Sequence, residues 1–240
     1  MSRGTHRRRA ALLTIGVRHR LLRSFLPAGL IAAALVVGAS AALAAHGDAQ
    51  KKLTPADSAR ARSMLLRKAD LGPGFKASTG SSDDPHLYCK ALDESDLTLT
   101  GDVESPDFER GLVFVSSTAQ VYESVADANA SWKRGTSAAG ERCARELLRG
   151  EFAKDAIRLV SMRRVAFPRV SQRTVAYRVQ LTSDAQGTTV KVVMDVVVLM
   201  RSRAQAALLL GSAFVPVPRA DEVRLARLVA SRMTKATRNS

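Results

Sequence analysis

The 240-residue sequence holds 37 lysines and arginines against 22 aspartates and glutamates, a formal charge of +15, and 46% of it is hydrophobic. Seven of the arginines (Arg3, Arg7, Arg8, Arg9, Arg18, Arg20 and Arg23) crowd into the first 23 residues with no acid among them, so removing them from the 37 leaves 30 bases against 22 acids, or +8, for the rest. That smaller excess, without basic motifs interleaved with aromatics, argues against a nucleic-acid partner.

Residues 24–45, "SFLPAGLIAAALVVGASAALAA", follow the arginines without a single charge. A basic start feeding an apolar run is the pattern of an export leader. The small residues of Ala39-Ser40-Ala41 and Ala42-Leu43-Ala44 suit cleavage near Ala44. The run also reaches the roughly 20 residues that an uncleaved membrane anchor needs. Either way the arginines stay inside, so the remainder is expected outside the cytoplasm, secreted or on the outer face of the cell membrane. We divide the chain into this leader (1–45), a linker (46–52), one domain large enough for its own core (53–236) and a frayed tail (237–240).

The domain opens on a helix signature, with Thr54 as N-cap, Pro55 at the first position and Asp57 three residues after the cap. "DLGPGF" ends that helix and a polar loop follows. Residues 97–118 read as two strands around an acidic turn, with Leu112, Phe114 and Ser116 on one face of the second strand and Val113 and Val115 on the other. "STAQVYES" then leads to a cap at Ser124 and a helix with Val125, Ala128 and Trp132 inward. After a break at Gly135, a second helix puts Ala139, Cys143 and Leu147 on one face.

From Ala156 the period changes to two. Val175, Tyr177, Val179 and Leu181 alternate with Thr174, Ala176, Arg178 and Gln180, the pattern of a strand with one covered face. "TVKVVMDVVVLM" is the most apolar strand and is expected at the centre, its Lys191–Asp195 face partly wet. "AQAALLLGSAFV" follows a tight turn. A last amphipathic helix packs Val223, Ala226, Leu228, Val229 and Met233 on the sheet. The fold class is therefore α+β, a single antiparallel sheet of five to six strands with packed helices.

Cys89 and Cys143 are the two cysteines. A zinc site would have only His86 and His46 to draw on after the leader, and would need carboxylates to complete it. A nucleophilic Cys89 with His86 as base lacks a third, orienting group. Outside the cytoplasm an even pair reads most simply as one disulfide, which would stabilise the fold by about 4 kcal/mol.

The segments "LLRKADLGPGF", "GLVFVSSTAQVYESVADANASW" and "VVMDVVVLMRSRAQAALLL", with one cysteine after the polar loop and one on the following helix, resemble actinobacterial extracellular sensor domains. The resemblance is to the PknH-type receptor-kinase ectodomain and its stand-alone secreted relatives, and more distantly to LpqN-type, PsbP-like lipoproteins. It implies an exported, sensor-like domain of the cell envelope without catalytic activity, with a pocket or groove over the sheet for an envelope ligand or protein partner.

Arg158, Arg163, Arg164, Arg169, Arg173 and Arg178 have no acid among them and are candidates for contact with anionic lipid or polymer. The alternative is a set of solvated strand positions. Asp83, Asp84, Asp93, Glu94, Asp96, Asp102, Glu104, Asp107 and Glu109 form an acidic stretch without calcium-loop spacing. The sequence has neither G-x-S-x-G nor S-x-x-K with a base, and no phosphate-binding glycine loop. We therefore expect no cofactor and no metal, with Trp132, Tyr122, Tyr88 and Phe114 serving as core. A hydrolase or transferase built on dispersed carboxylates is the alternative function.

Overall fold

The computed structural model describes residues 48–78, 89–185 and 188–238. The leader, His46, His86, Tyr88, Asp83 and Asp84 lie outside the described residues.

A two-residue strand, β1 (Gln50–Lys51), leads into helix α1 (Pro55–Met64), and β2 (Lys76–Ser78) follows. Thr54 caps α1 as its sequence signature requires, its Oγ1 accepting from the Asp57 N–H at 3.1 Å. Next come β3 (Thr98–Glu104), β4 (Asp107–Arg110) and β5 (Val113–Tyr122). Helices α2 (Val125–Gly135) and α3 (Ala138–Lys154) are capped by the Ser124 and Ser137 hydroxyls. The meander β6 (Ile157–Arg164), β7 (Arg173–Ala185), β8 (Thr188–Arg201) and β9 (Ala204–Ala213) precedes α4 (Arg219–Ala236).

Among the described residues nine strands join one sheet, in the order β1-β3-β5-β9-β8-β7-β6, with β4 also on β5 and β2 on β4. The expectation of five to six antiparallel strands is corrected on two points. The sheet has nine strands, and it is mixed, because β1 runs parallel to β3. Strands of two to four residues carry too few side chains to show a period, so β1, β2 and β4 have no sequence signal. "RGLVFVSST" is likewise split: Asp107–Arg110 is β4, Gly111 turns the chain at a φ of 60°, and β5 runs on through Tyr122, where a lead-in to the helix was expected.

Helices cover both faces of the sheet. α1 and α4 bury Ala61, Met64, Leu225, Val229 and Met233 against Val115, Val197, Leu199 and Leu208 on one face. On the other, α3 packs Cys143, Ala144, Leu148 and Phe152 over β6 to β9, and α2 packs Ala128 against Leu99, Tyr122 and Met200. β5 alternates as expected, with Phe114 and Val115 in opposite cores. Val125 and Ala139 are exposed, against expectation, because each stands on the outer side of its helix's first turn. β8 is an interior strand, flanked by β9 and β7, as its composition requires, while the middle place in the order falls to β9.

Candidate functional site

The alternation of β7 sends Tyr177 and Val179 to the α3 face and Arg178 to the α4 face, so two distinct environments lie back to back across the sheet. On the α3 face, cross-strand register lines up Met162, Val179 and Met194 in one row and Tyr177, Val196 and Leu209 in the next. With Leu148 of α3 as a roof, these six side chains enclose an apolar hollow with room for the centre of about one water molecule, about 10 Å³.

Tyr177 supplies the only polar group of the lining. Its hydroxyl donates to Glu141 Oε1 of α3 at 3.0 Å. Burial, then the Glu141 charge, pushes the Tyr177 phenol up to about 12, so it remains a neutral donor. The Arg164 guanidinium also bonds Glu141 and the Thr136 carbonyl, and stands 5.7 Å from the Tyr177 ring centroid. This bridge pins the N-terminal half of α3. Two residues on, Cys143 is joined by a disulfide to Cys89, 54 residues away, with the Cα atoms 6.3 Å apart.

The opposite environment is ionic. Asp195 of β8 takes both its oxygens' hydrogen bonds from Arg178, at 2.8 Å each. Glu222, in the first turn of α4, takes one from Arg219 at 2.7 Å. Asp195 is 1% and Glu222 0% exposed. The expectation of a partly wet Lys191–Asp195 face is corrected for Asp195: α4 lies over it, while Lys191 is exposed. Glu222 was invisible in the sequence, where an acid in a helix's first turn is ordinary dipole complementarity.

The six candidate arginines do not form one surface. Arg164 belongs to the α3 bridge, Arg169 hydrogen-bonds the Gln172 carbonyl, and Arg178 holds Asp195. Arg158, Arg163 and Arg173 are exposed, with no ion-pair partner among the described residues. The acidic residues are also dispersed. Asp96 takes a bidentate pair from Arg134, Glu94 accepts from the Tyr122 hydroxyl, and Lys51 reaches Asp102. Among the described residues no group of three or more His, Cys, Asp or Glu is placed to hold a metal. Tyr122 and Trp132 pack in the α2 core and Phe114 in the α3 core, so they do not meet around one pocket.

No family model matches the chain, and no curated protein matches it. Among solved structures it is similar to the extracellular domain of PknH from Mycobacterium tuberculosis, at 8% identity and a TM-score of 0.38, over 74% of this chain and 96% of that one. It is also similar to LpqN, involved in cell envelope biogenesis of Mycobacterium tuberculosis, at 11% identity and a TM-score of 0.27, over 69% of this chain and 85% of that one. Both are distant structural neighbours, and the relationship is a loose one that assigns no family.

Proposed function

We propose that this chain is an exported, non-catalytic binding domain of the cell envelope, which takes an apolar group of its ligand between α3 and the sheet. The observation that carries the reading is the hollow: walls of aliphatic, thioether and aromatic side chains, under a helix held by one disulfide and one ionic bridge. Export is supported by the arginine-rich, then uncharged leader and by the disulfide, a bond that persists in oxidising compartments. At its present size the hollow admits no more than about one water, so the reading requires the part of α3 beyond Cys143, with Leu148, to lift from the sheet when an acyl chain enters. The one close pair of buried carboxyls among the described residues, Asp195 and Glu222, lies between α4 and the sheet, out of a substrate's reach, and gives no support to a carboxylate-based enzyme.

The test uses cis-parinaric acid, a fluorescent acyl probe, on the oxidised domain. Saturable emission in the unaltered protein, abolished in a folded Val179→Phe variant that fills the hollow, is the expected result. Emission that Val179→Phe leaves unchanged overturns the reading. Intact mass of the secreted chain checks export independently, through loss of the leader or its retention in the membrane fraction.

A second reading, contact with an anionic surface, is favoured by the exposed Arg158, Arg163 and Arg173, which have no ion-pair partner among the described residues. It requires binding to phosphatidylglycerol vesicles that falls steeply with added salt.

A further inference from the structure

Directly behind the hollow, two carboxyl groups with almost no solvent exposure meet between α4 and the sheet. Arg178 directs its Nε and one Nη2 donor at the two oxygens of Asp195, at 2.8 Å each. Its nearest approach to Glu222 is 3.8 Å, to Oε1, which is beyond hydrogen-bond reach. Arg219, itself stacked 4.0 Å from the Phe167 centroid, serves only Oε2 of Glu222. Oε1 is left buried with no donor.

An ionised Glu222 would hold charge on that oxygen with neither water nor an N–H to stabilise it, facing another acceptor. That is among the costliest arrangements a folded chain can hold. A protonated Glu222 removes the conflict, because its O–H has Asp195 as a neighbouring acceptor.

We infer that Glu222 and Asp195 hold one proton between them, Glu222 donating it to Asp195, and that this proton-binding site fastens the first turn of α4 to the centre of the sheet. The proton belongs to Glu222, since both oxygens of Asp195 already accept guanidinium N–H groups while Oε1 of Glu222 accepts none. The charged groups around the pair are Arg178 from β7 and Arg219 from α4, with Arg163 of β6 opposite Arg178 in register and the exposed Asp221 beside Glu222. β9 contributes Ala204, Ala206, Leu208 and Leu210 to the core on this face, none of them charged. The two arginine side chains are 24% and 38% exposed and spend part of their charge on water, while the carboxyls do not. Burial is the largest influence on Glu222 and raises it; Arg219 opposes, Asp195 reinforces, and the net direction is above the ordinary glutamate range. The inference is independent of the proposed ligand.

A carboxyl held protonated in the fold but ionised in the unfolded chain makes the fold bind more protons, so stability falls as pH rises. The loss begins near the ordinary glutamate value and ends above the raised one. Between them the folding equilibrium constant drops up to about tenfold per pH unit for one proton.

The test compares urea unfolding of the full domain with that of Glu222→Gln, whose amide also donates to Asp195 but does not titrate. The two proteins are expected to match at pH 4, with the unaltered one losing ground to the variant as pH rises. A difference that does not change with pH, or that grows in favour of the unaltered protein, overturns the inference. Carbon-13 NMR of the Glu222 carboxyl in the unaltered chain decides the matter even if the variant fails to fold. Titration above the exposed glutamates supports the shared proton, and titration with or below them sinks it.

Discussion

Asp57 ties α1 to the sheet, and its replacement by asparagine offers the clearest quantitative test of the fold. Its carboxylate receives the Arg203 guanidinium at 2.8 and 2.9 Å, Arg60 at 2.6 Å and the Thr100 hydroxyl at 2.7 Å. Arg203 closes the two-residue turn from β8 into β9 and lies 146 residues from Asp57. It also donates to the Tyr122 carbonyl at 3.0 Å, so a single side chain joins α1, β5 and the β8–β9 turn. Burial would raise Asp57, but Arg203, Thr100 and Arg60 outweigh it and bring the carboxyl from 3.8 down to about 2. A depression of nearly two units, at about 1.4 kcal/mol per unit, corresponds to roughly 2 kcal/mol of stability at neutral pH. Because the folded value is the lower one, that contribution is complete above pH 4 and disappears as pH falls toward 2. Asp57→Asn leaves Arg203 without its counter-charge and adds the cost of a poorly served guanidinium, for a total loss of about 2–4 kcal/mol at pH 7. Urea denaturation followed by circular dichroism at pH 7, 4 and 2.5 measures it. The gap between variant and unaltered protein should narrow at the lowest pH. A variant within about 0.5 kcal/mol of the unaltered protein at pH 7, or a gap that persists unchanged in acid, refutes the electrostatic account.

Reduction, or Cys143→Ser, should cost about 4 kcal/mol on the chain-entropy account of a loop closed across 54 residues, read as a fall in urea midpoint. Gly211→Ala places a methyl group inside the ring of Phe114, its cross-strand partner, and should destabilise by about 1–3 kcal/mol. Met194→Ala enlarges the hollow beneath α3 and should cost about 2–5 kcal/mol. If the hollow is the binding site, Met194→Ala should also tighten the acyl probe, a gain that fluorescence titration detects.

Elements whose signal is local were legible without the structure. Thr54 and Ser124 announce their helices because a cap needs only a hydroxyl and the N–H three residues on. The β7 alternation announces a strand because adjacent residues of a strand face opposite ways, and Tyr177, Val179 and Leu181 are buried accordingly; the face expected to be open is covered as well, with Ala176 1% exposed in the α4 core. The same pattern could not say which acid meets Arg178, because one period is compatible with many partners. The leader and the cysteine pair pointed to a compartment, not to a site.

Tertiary structure alone decided the rest. Residues 50 and 51 lie parallel to β3 because the incoming chain meets that edge, a fact no two-residue segment encodes. The six arginines follow one another in sequence with no acid between them but divide between the faces and loops of the sheet, so an apparent patch becomes a bridge to Glu141, a clamp on Asp195, a loop contact to the Gln172 carbonyl and three solvated cations. Asp195 and Glu222 meet only because register and helix packing carry both into the same dry space. Periodicity reports which side of an element is buried. The chemistry that results depends on what is buried opposite, and that is fixed only when distant segments come together.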